Sequence, residues 1–282
     1  VGKYVIPGNA YPEIALQLGK IYYPGRNIEI KDILFTTPVV LGEGETRDVQ
    51  VIAEKQEDFI GFIVSSRIEG YGEAGDEWIK HAEGKICKLK QDNRYIYDVE
   101  KLKQECSKKI IDIDINKMAE GFIVFGPRWM NYHKLMIGEN TALAEFVLPE
   151  EFADDLEVYN LHPGLLDMAV AAISFTFGEK YIPLSYGSFK VYAALPAKFY
   201  SYFTRIDRKD GNDEVVSFDL ILINDEGRVI GEVRNFSMKK VHEFKRMLRS
   251  NIYSKIDWVE EKIGETAPLT EGAVLILKDA HG

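Results

Sequence analysis

Cysteine is nearly missing from this 282-residue chain: Cys87 and Cys106 are the whole complement, and neither stands in a C-x-x-C or Cys/His spacing. Two such thiols exclude a disulfide scaffold and offer no basis for a structural metal, so no metal and a reduced, cytoplasmic setting are expected. Long apolar runs are missing too. No stretch approaches the ~20 residues that a membrane-spanning helix requires, and the first residues lack the basic and then apolar segments of an export signal. Neither a membrane nor secretion is expected. Blocks of positive charge are also absent: 35 Lys plus Arg face 45 Asp plus Glu, a net charge of -10, with the basic residues dispersed. That removes the phosphate-tracking surface of a nucleic-acid binder. The aromatic group Tyr192, Phe199, Tyr200, Tyr202 and Phe203 has strand-like spacing and few basic neighbours, so it reads as sheet packing rather than a base-stacking platform. The glycines of Gly70-Tyr71-Gly72-Glu73-Ala74-Gly75 lack the G-x-G-x-x-G register and a Lys-Ser/Thr ending, which leaves a loop and no phosphate cradle.

What is present is an ordinary globular composition, 46% apolar, 28% charged and 12% aromatic. At this length it builds one large domain or two domain-sized halves. The chain starts at Val1-Gly2-Lys3 and stops at Ala280-His281-Gly282 just after the apolar run 273–277, so both ends read as cut from something longer. Asn9-Ala10-Tyr11-Pro12-Glu13, followed by Ile14, Ala15 and Leu18, predicts a short helix with Asn9 as N-cap and Pro12 in its first turn. Strands follow at 28–35, 49–54, 59–65 and 78–87. The span 88–117 is dense in Lys, Asp, Glu and Gln, carries a surface helix near 98–108, and reads as a linker. The second half repeats the plan, with an apolar helix at 164–172 after His162-Pro163, then strands at 189–193, 199–206, 215–223 and 229–238, the last two joined by the turn Asp225-Glu226-Gly227. A short buried helix followed by long antiparallel strands, occurring twice, suggests a duplicated fold. A plain α+β domain stays equally open on the pattern alone.

Several short motifs resemble the dehydratase domains of modular polyketide synthases. Gly2-Lys3-Tyr4-Val5-Ile6-Pro7-Gly8 is similar to the tail of an H-x-x-x-G-x-x-x-x-P signature, and Ala10-Tyr11-Pro12-Glu13-Ile14-Ala15 continues as that family's helix does. Trp78-Ile79-Lys80-His81-Ala82-Glu83-Gly84 resembles a W-x-x-H-x-x-G strand. Phe125-Gly126-Pro127-Arg128-Trp129 resembles Y-G-P-x-F, His162-Pro163-Gly164-Leu165-Leu166-Asp167 matches H-P-x-L-L-D, and Pro183-Leu184-Ser185-Tyr186 stands where the family has a P-F-S-W-like segment. All occur in order over residues 1–245. The resemblance implies an α+β double hot-dog, two antiparallel sheets each wrapped around a central helix. It divides the chain into a first hot dog at 1–87, truncated at its start, a linker at 88–118, a second hot dog at 119–245, and a segment at 246–282 leading into a ketoreductase structural region.

For function the resemblance implies syn-type elimination of water from a 3-hydroxyacyl thioester, giving the α,β-enoyl thioester. Such a step needs a base for the α-proton, an acid for the departing hydroxyl and donors for the thioester oxygen. The acid position is Asp167, in a setting of Leu165, Leu166, Met168 and Val170 that raises a carboxyl pKa. The family's histidine base aligns three positions before Val1, outside this chain, and whether it was truncated or never present stays open. Of the histidines present, His81 falls in a strand motif, His162 orients a helix start, and His133, His242 and His281 lie in ordinary polar surroundings. Two departures from the family pattern concern the acid: Ala171 stands where Gln or His commonly holds the carboxyl, and Phe125 where a tyrosine hydroxyl would be. Gly8 and the following amides are expected to face the thioester oxygen. Pro7, Gly8, Tyr11, Phe125, Gly126, Pro127, His162, Pro163, Leu166, Ala171, Pro183 and Tyr186 are the expected substrate-binding set. The resemblance implies no metal or redox cofactor, the substrate riding on the phosphopantetheine of an acyl carrier protein, with that protein, neighbouring synthase domains and a second copy as partners. An enoyl isomerase, a pyran-forming cyclase and a catalytically silent scaffold of the same fold remain as alternatives.

Overall fold

The computed structural model describes residues 3–68, 78–90, 95–115, 123–207 and 214–241. Residues 1–248 form one compact unit; a second unit, 249–282, lies outside the described residues. So do the Gly70–75 loop, His242, His281 and the expected junction at 246–282.

In chain order the first half comprises β1 (Lys3–Val5), α1 (Ala10–Tyr22), β2 (Ile28–Phe35), β3 (Val40–Gly42), β4 (Arg47–Lys55), β5 (Ile60–Ile68) and β6 (Ile79–Lys88). α1 buries Tyr11, Ala15, Leu16 and Gly19, residues that share one face at 3.6-residue spacing. β2, β4, β5 and β6 pair antiparallel in the order β4-β5-β6-β2. Among the described residues β1 pairs with β3, in a separate two-stranded ribbon.

The second half opens with α2 (Val99–Glu105), β7 (Lys109–Asp112), β8 (Tyr132–Ile137), β9 (Ala142–Val147) and the single-turn α3 (Asp155–Val158). Then come α4 (Pro163–Ala171), β10 (Tyr181–Val191), β11 (Lys198–Asp207), β12 (Val215–Asn224) and β13 (Val229–Lys240). After α4 the strand order is β11-β12-β13-β10, the same permutation that follows α1. The duplication read from the repeated plan is therefore one of topology. Helix, inner strand, outer strand and hairpin recur in the same sequence positions.

The two antiparallel sheets expected of the double hot-dog meet edge to edge. β2 and β10 pair antiparallel from Ile28↔Val191 to Leu34↔Ser185, so the half-sheets fuse into one eleven-stranded antiparallel sheet. Each half still wraps its own helix, and a single core cluster runs through both, from Tyr11 and Ile30 to Leu166, Phe189 and Phe236. β10 also starts earlier than predicted, at Tyr181, which places Pro183 and Tyr186 within a strand. Pro183 lacks an amide hydrogen for the ladder, and the β10·β13 register shifts between Pro183 and Ser185.

The 88–118 span is more structured than a linker. Asp98 caps α2 by accepting from the Lys101 amide, as the sequence predicts for a helix there. Leu102 and Cys106 then cover the outer face of the second half-sheet, against Tyr200, Tyr202 and Ile223. β7 pairs with β8 as the outermost strand. The turn after β12 needs its glycine. Gly227 has φ +80°, and a Cβ there would lie 1.9 Å from the Tyr97 carbonyl oxygen.

Candidate active site

α4 carries Asp167. Its start is built by His162, whose Nδ1 accepts from the Leu165 amide at 3.2 Å, and by Pro163 at the first helical position, where a missing amide hydrogen costs nothing. His162 is buried, its Nε2 lies 3.1 Å from Asp155 Oδ2, and its ring meets Tyr159 edge-on. Hydrogen bonding from Arg128 leads the causes that hold the Asp155 carboxyl below its ordinary range, and His162 adds to it. His162 thus shapes the helix start, and its side chain is committed to Asp155 and the Leu165 amide. The step into α4 is also tied to α1: the Glu13 carboxylate accepts from the Leu161 amide at 2.7 Å and the Asn160 amide at 3.1 Å.

One face of α4 turns inward with Leu165, Leu166 and Met168. Asp167 lies beside them, half-buried, and each of its oxygens has a donor. Asn9 Nδ2 donates to Oδ1 at 2.6 Å and the Trp129 indole Nε1 to Oδ2 at 3.1 Å. Burial raises the Asp167 pKa, and the two hydrogen bonds oppose the shift without cancelling it.

Asn9 does not cap α1 as expected. Its side chain makes no cap bond, because its amide nitrogen is engaged by Asp167 and its Oδ1 accepts from the Tyr186 hydroxyl. Tyr186 is fully buried on β10. Its phenol pKa is pushed far up, first by burial and then by the neighbouring Asp167 charge.

Phe35 links the other candidates. It packs against Tyr186 with centroids 5.7 Å apart and against Tyr11 at 6.1 Å. A Cβ placed on Gly8 would lie 3.6 Å from Phe35 and 3.8 Å from Pro183, so Gly8, Phe35 and Pro183 border one another. Tyr11 is buried, its phenol is pushed up by burial, and its hydroxyl has no hydrogen-bond partner among the described residues. Of the amides at the start of α1, those of Ala10 and Tyr11 donate back to the carbonyls of Pro7 and Gly8, which leaves the Gly8 and Asn9 amides at that end.

The Phe125-Gly126-Pro127 segment forms the approach to a 3-10 turn, Pro127–Trp129, in which the Trp129 amide donates to the Gly126 carbonyl. This turn aims the indole at Asp167. Phe125 and Ala171 pack at the rim of the core, and Leu166 lies wholly within it.

The structure therefore brings Gly8, Pro183, Tyr186 and Asp167 into one neighbourhood. It sets His162, Leu166 and Ala171 to support α4 and packs Tyr11 against Phe35. Two holders of Asp167 escape a residue-by-residue reading. Asn9 looks like a helix cap, and Trp129 like a motif aromatic. The legible signal was a tryptophan, with its indole donor, where the motif has phenylalanine.

His81, the histidine of the strand motif 78–84, has different partners. Its Nδ1 donates to the Thr37 carbonyl and its Nε2 accepts from the Ser66 hydroxyl, both at 2.7 Å. It is buried, and burial holds its pKa below the ordinary value.

Two family models match the chain: "Polyketide synthase dehydratase N-terminal domain" over residues 98–247 and "Polyketide synthase dehydratase domain" over residues 1–67. The polyketide synthase PksN of Bacillus subtilis is 22% identical over 84% of this chain, and PksM of the same organism 23% identical over 84%. The chain spans only 4% and 6% of the length of these two relatives. An N-terminal dehydratase from the difficidin assembly line superposes with TM-score 0.77 at 22% identity, covering 87% of this chain and 90% of that one. The CurK dehydratase, solved as inactive mutants with a histidine changed to phenylalanine or an aspartate changed to asparagine, gives TM-score 0.73 at 24% identity, covering 88% and 86%. At these identities the structural likeness speaks for the double hot-dog fold.

Proposed function

The chain belongs to the polyketide synthase dehydratase family, and from that premise we propose that it removes water from a 3-hydroxyacyl chain carried as a thioester on the phosphopantetheine of an acyl carrier protein. The observation that carries this reading is the Asp167 carboxyl. It is held from both oxygens, half-buried, and shifted toward the protonated form by its surroundings. A general acid working near neutrality needs such a group.

In this reading Asp167 gives its proton to the 3-hydroxyl as the C–O bond breaks, while an imidazole supplied from upstream of Val1 takes the α-proton. The electron pair of the C–H bond becomes the new double bond and water leaves. The Gly8 and Asn9 amides, at the start of α1, face the charge that gathers on the thioester oxygen. Neither metal nor redox chemistry enters such a step. That a relative, CurK, is inactive with either a histidine or an aspartate replaced is consistent with this pairing of residue types. The acyl carrier protein, a second copy of the chain and a cytoplasmic location belong to the same reading. The curated relatives are polyketide synthases, which makes neighbouring synthase domains its natural setting. Among the described residues no helix is long and apolar enough to cross a membrane.

The test uses the protein extended upstream of Val1, offered 3-hydroxyacyl and enoyl carrier substrates separately and followed by mass spectrometry. Dehydration is expected, and Asp167→Asn lowers it by about two to four decades, the range for loss of a general acid. Double-bond migration without loss of water would assign the isomerase instead. No reaction in either assay would assign the silent scaffold.

A further inference from the structure

Asp167 must be held in two protonation states if it cycles a proton, and its two fixed partners differ in what they accept. The Trp129 indole is a donor only, and serves Oδ2 whether or not the carboxyl is charged. Asn9 carries both a donor and an acceptor on one rotatable amide, and that amide is wholly buried between Asp167 and Tyr186. In the arrangement observed, Tyr186 donates to Asn9 Oδ1, so Nδ2 must face Asp167, which suits a carboxylate. Turning the amide by 180° exchanges these roles. Asn9 Oδ1 then accepts from a protonated Asp167, and Nδ2 donates to the Tyr186 oxygen, since a phenol both gives and takes hydrogen bonds.

We propose that Asn9, oriented by Tyr186, is a two-way positioning residue for Asp167, donating to the carboxylate and accepting from the carboxylic acid by rotation of its side-chain amide. No proton leaves the pair in this exchange; the amide turns, and the acidic hydrogen stays on Asp167 until substrate takes it. The relay resolves a difficulty set by two residues of this chain. Phe125 offers no hydroxyl and Ala171 no amide, so the carboxyl depends on Asn9 ahead of α1, backed by Tyr186 of β10, and on Trp129 in the 3-10 turn rather than on its own helix. Among the groups hydrogen-bonded or electrostatically coupled to Asp167, Tyr186 on β10 is the titratable one; Asn9 before α1 and Trp129 in the 3-10 turn are neutral. In the flipped state the Tyr186 hydrogen loses its Asn9 acceptor. The Tyr186 hydroxyl therefore favours the charged form of Asp167.

The inference rests on the reading of Asp167 as the acid, but its test does not require turnover. Infrared difference spectra of the 282-residue chain are recorded as a function of pH, with Asp167→Asn subtracted to isolate the band of the protonated carboxyl. In wild type that band lies at lower wavenumber than in Asn9→Leu, because in the variant the acid hydrogen has no acceptor. Tyr186→Phe raises the midpoint at which the band appears, since the donor that favours the charged form is gone. Asn9→Thr, whose hydroxyl both donates and accepts, recovers part of the wild-type band position. The same band position in wild type and Asn9→Leu overturns the proposal; should Asn9→Leu not fold, an unchanged midpoint in Tyr186→Phe overturns it. In the upstream-extended protein the expected kinetic signature is a fall in kcat with KM held, because Asn9 acts through Asp167. Band shifts without dehydration would sink the dehydratase reading and leave the relay standing; dehydration without band shifts would do the reverse.

Discussion

At the scale of single residues, the two informative groups are an acid, Asp167, and a base, His81, whose pKa shifts run in opposite directions. Burial raises Asp167. The folded protein therefore holds its proton to higher pH than the unfolded chain, and the associated stability is complete below the ordinary Asp value near 3.9 and lost as pH rises through the folded pKa. Asp167→Asn removes that loss. Its stability relative to wild type should improve in urea unfolding as pH rises from about 4 and level off once the folded pKa is passed, and a difference that does not move with pH would mean that the carboxyl is not strained by burial. His81 runs the other way. Burial lowers it, and the neighbouring Arg47 charge adds to the shift. Its contribution is complete above the ordinary His value near 6.5 and lost as pH falls through the lower folded pKa. Acid unfolding as pH falls below about 6.5 should therefore be shallower in His81→Gln than in wild type, although the variant is less stable at neutral pH for want of the Ser66 and Thr37 bonds. Steeper acid unfolding in the variant would contradict a neutral, buried imidazole.

At the scale of elements, the site depends on one helix fastening the start of another. Glu13 in the first turn of α1 accepts from the Asn160 and Leu161 amides just ahead of α4. The Leu161 bond is buried, and a buried amide left without an acceptor costs about 1–3 kcal/mol. Glu13→Ala should lower stability by about that amount. It should also speed hydrogen exchange at the Leu161 amide more than at the β12·β13 ladder, and equal acceleration everywhere would make Glu13 a general stabiliser with no special hold on α4. The predicted helices and the long strands other than β10 match the observed ones within a few residues, because their apolar pattern or their flanking turns are plain in the chain. α1 repeats every three to four residues, and β12 and β13 are strand-like segments rich in Val, Ile, Leu and Phe on either side of the turn Asp225-Glu226-Gly227. β7, β8 and β9 went unseen for a physical reason. They are four to six residues long, and β9 is made of Ala, Leu, Ala, Glu, Phe and Val, which has no strict alternation because both faces are covered.

At the scale of the whole molecule, the β2·β10 ladder makes one sheet and one core out of two repeats. The halves therefore unfold together. Phe189 is fully buried on β10 beside Tyr186, close to that junction. Phe189→Ala should cost about 3–5 kcal/mol and move the main thermal transition of the chain to lower temperature without splitting it. Two resolved transitions from residues 1–248 in calorimetry would mean that the halves are separate cooperative units in spite of the shared sheet.

The sequence by itself determined the repeated helix-then-strands plan, the resemblance carried by Pro7-Gly8 and His162 to Asp167, and the apolar surroundings that raise Asp167. These are local facts: periodicity, turn chemistry and the neighbours of a residue along its own helix. Only the tertiary structure decided that the two sheets are one, that Pro183 and Tyr186 lie inside a strand, and that Asn9 and Trp129 hold the acid. Asn9 stands 158 residues from Asp167 and Tyr186 stands 177 from Asn9. No pattern along the chain encodes such pairs, because hydrogen bonding at 2.6 Å depends on how α1, α4 and β10 pack against one another, and that packing is set by the whole core at once.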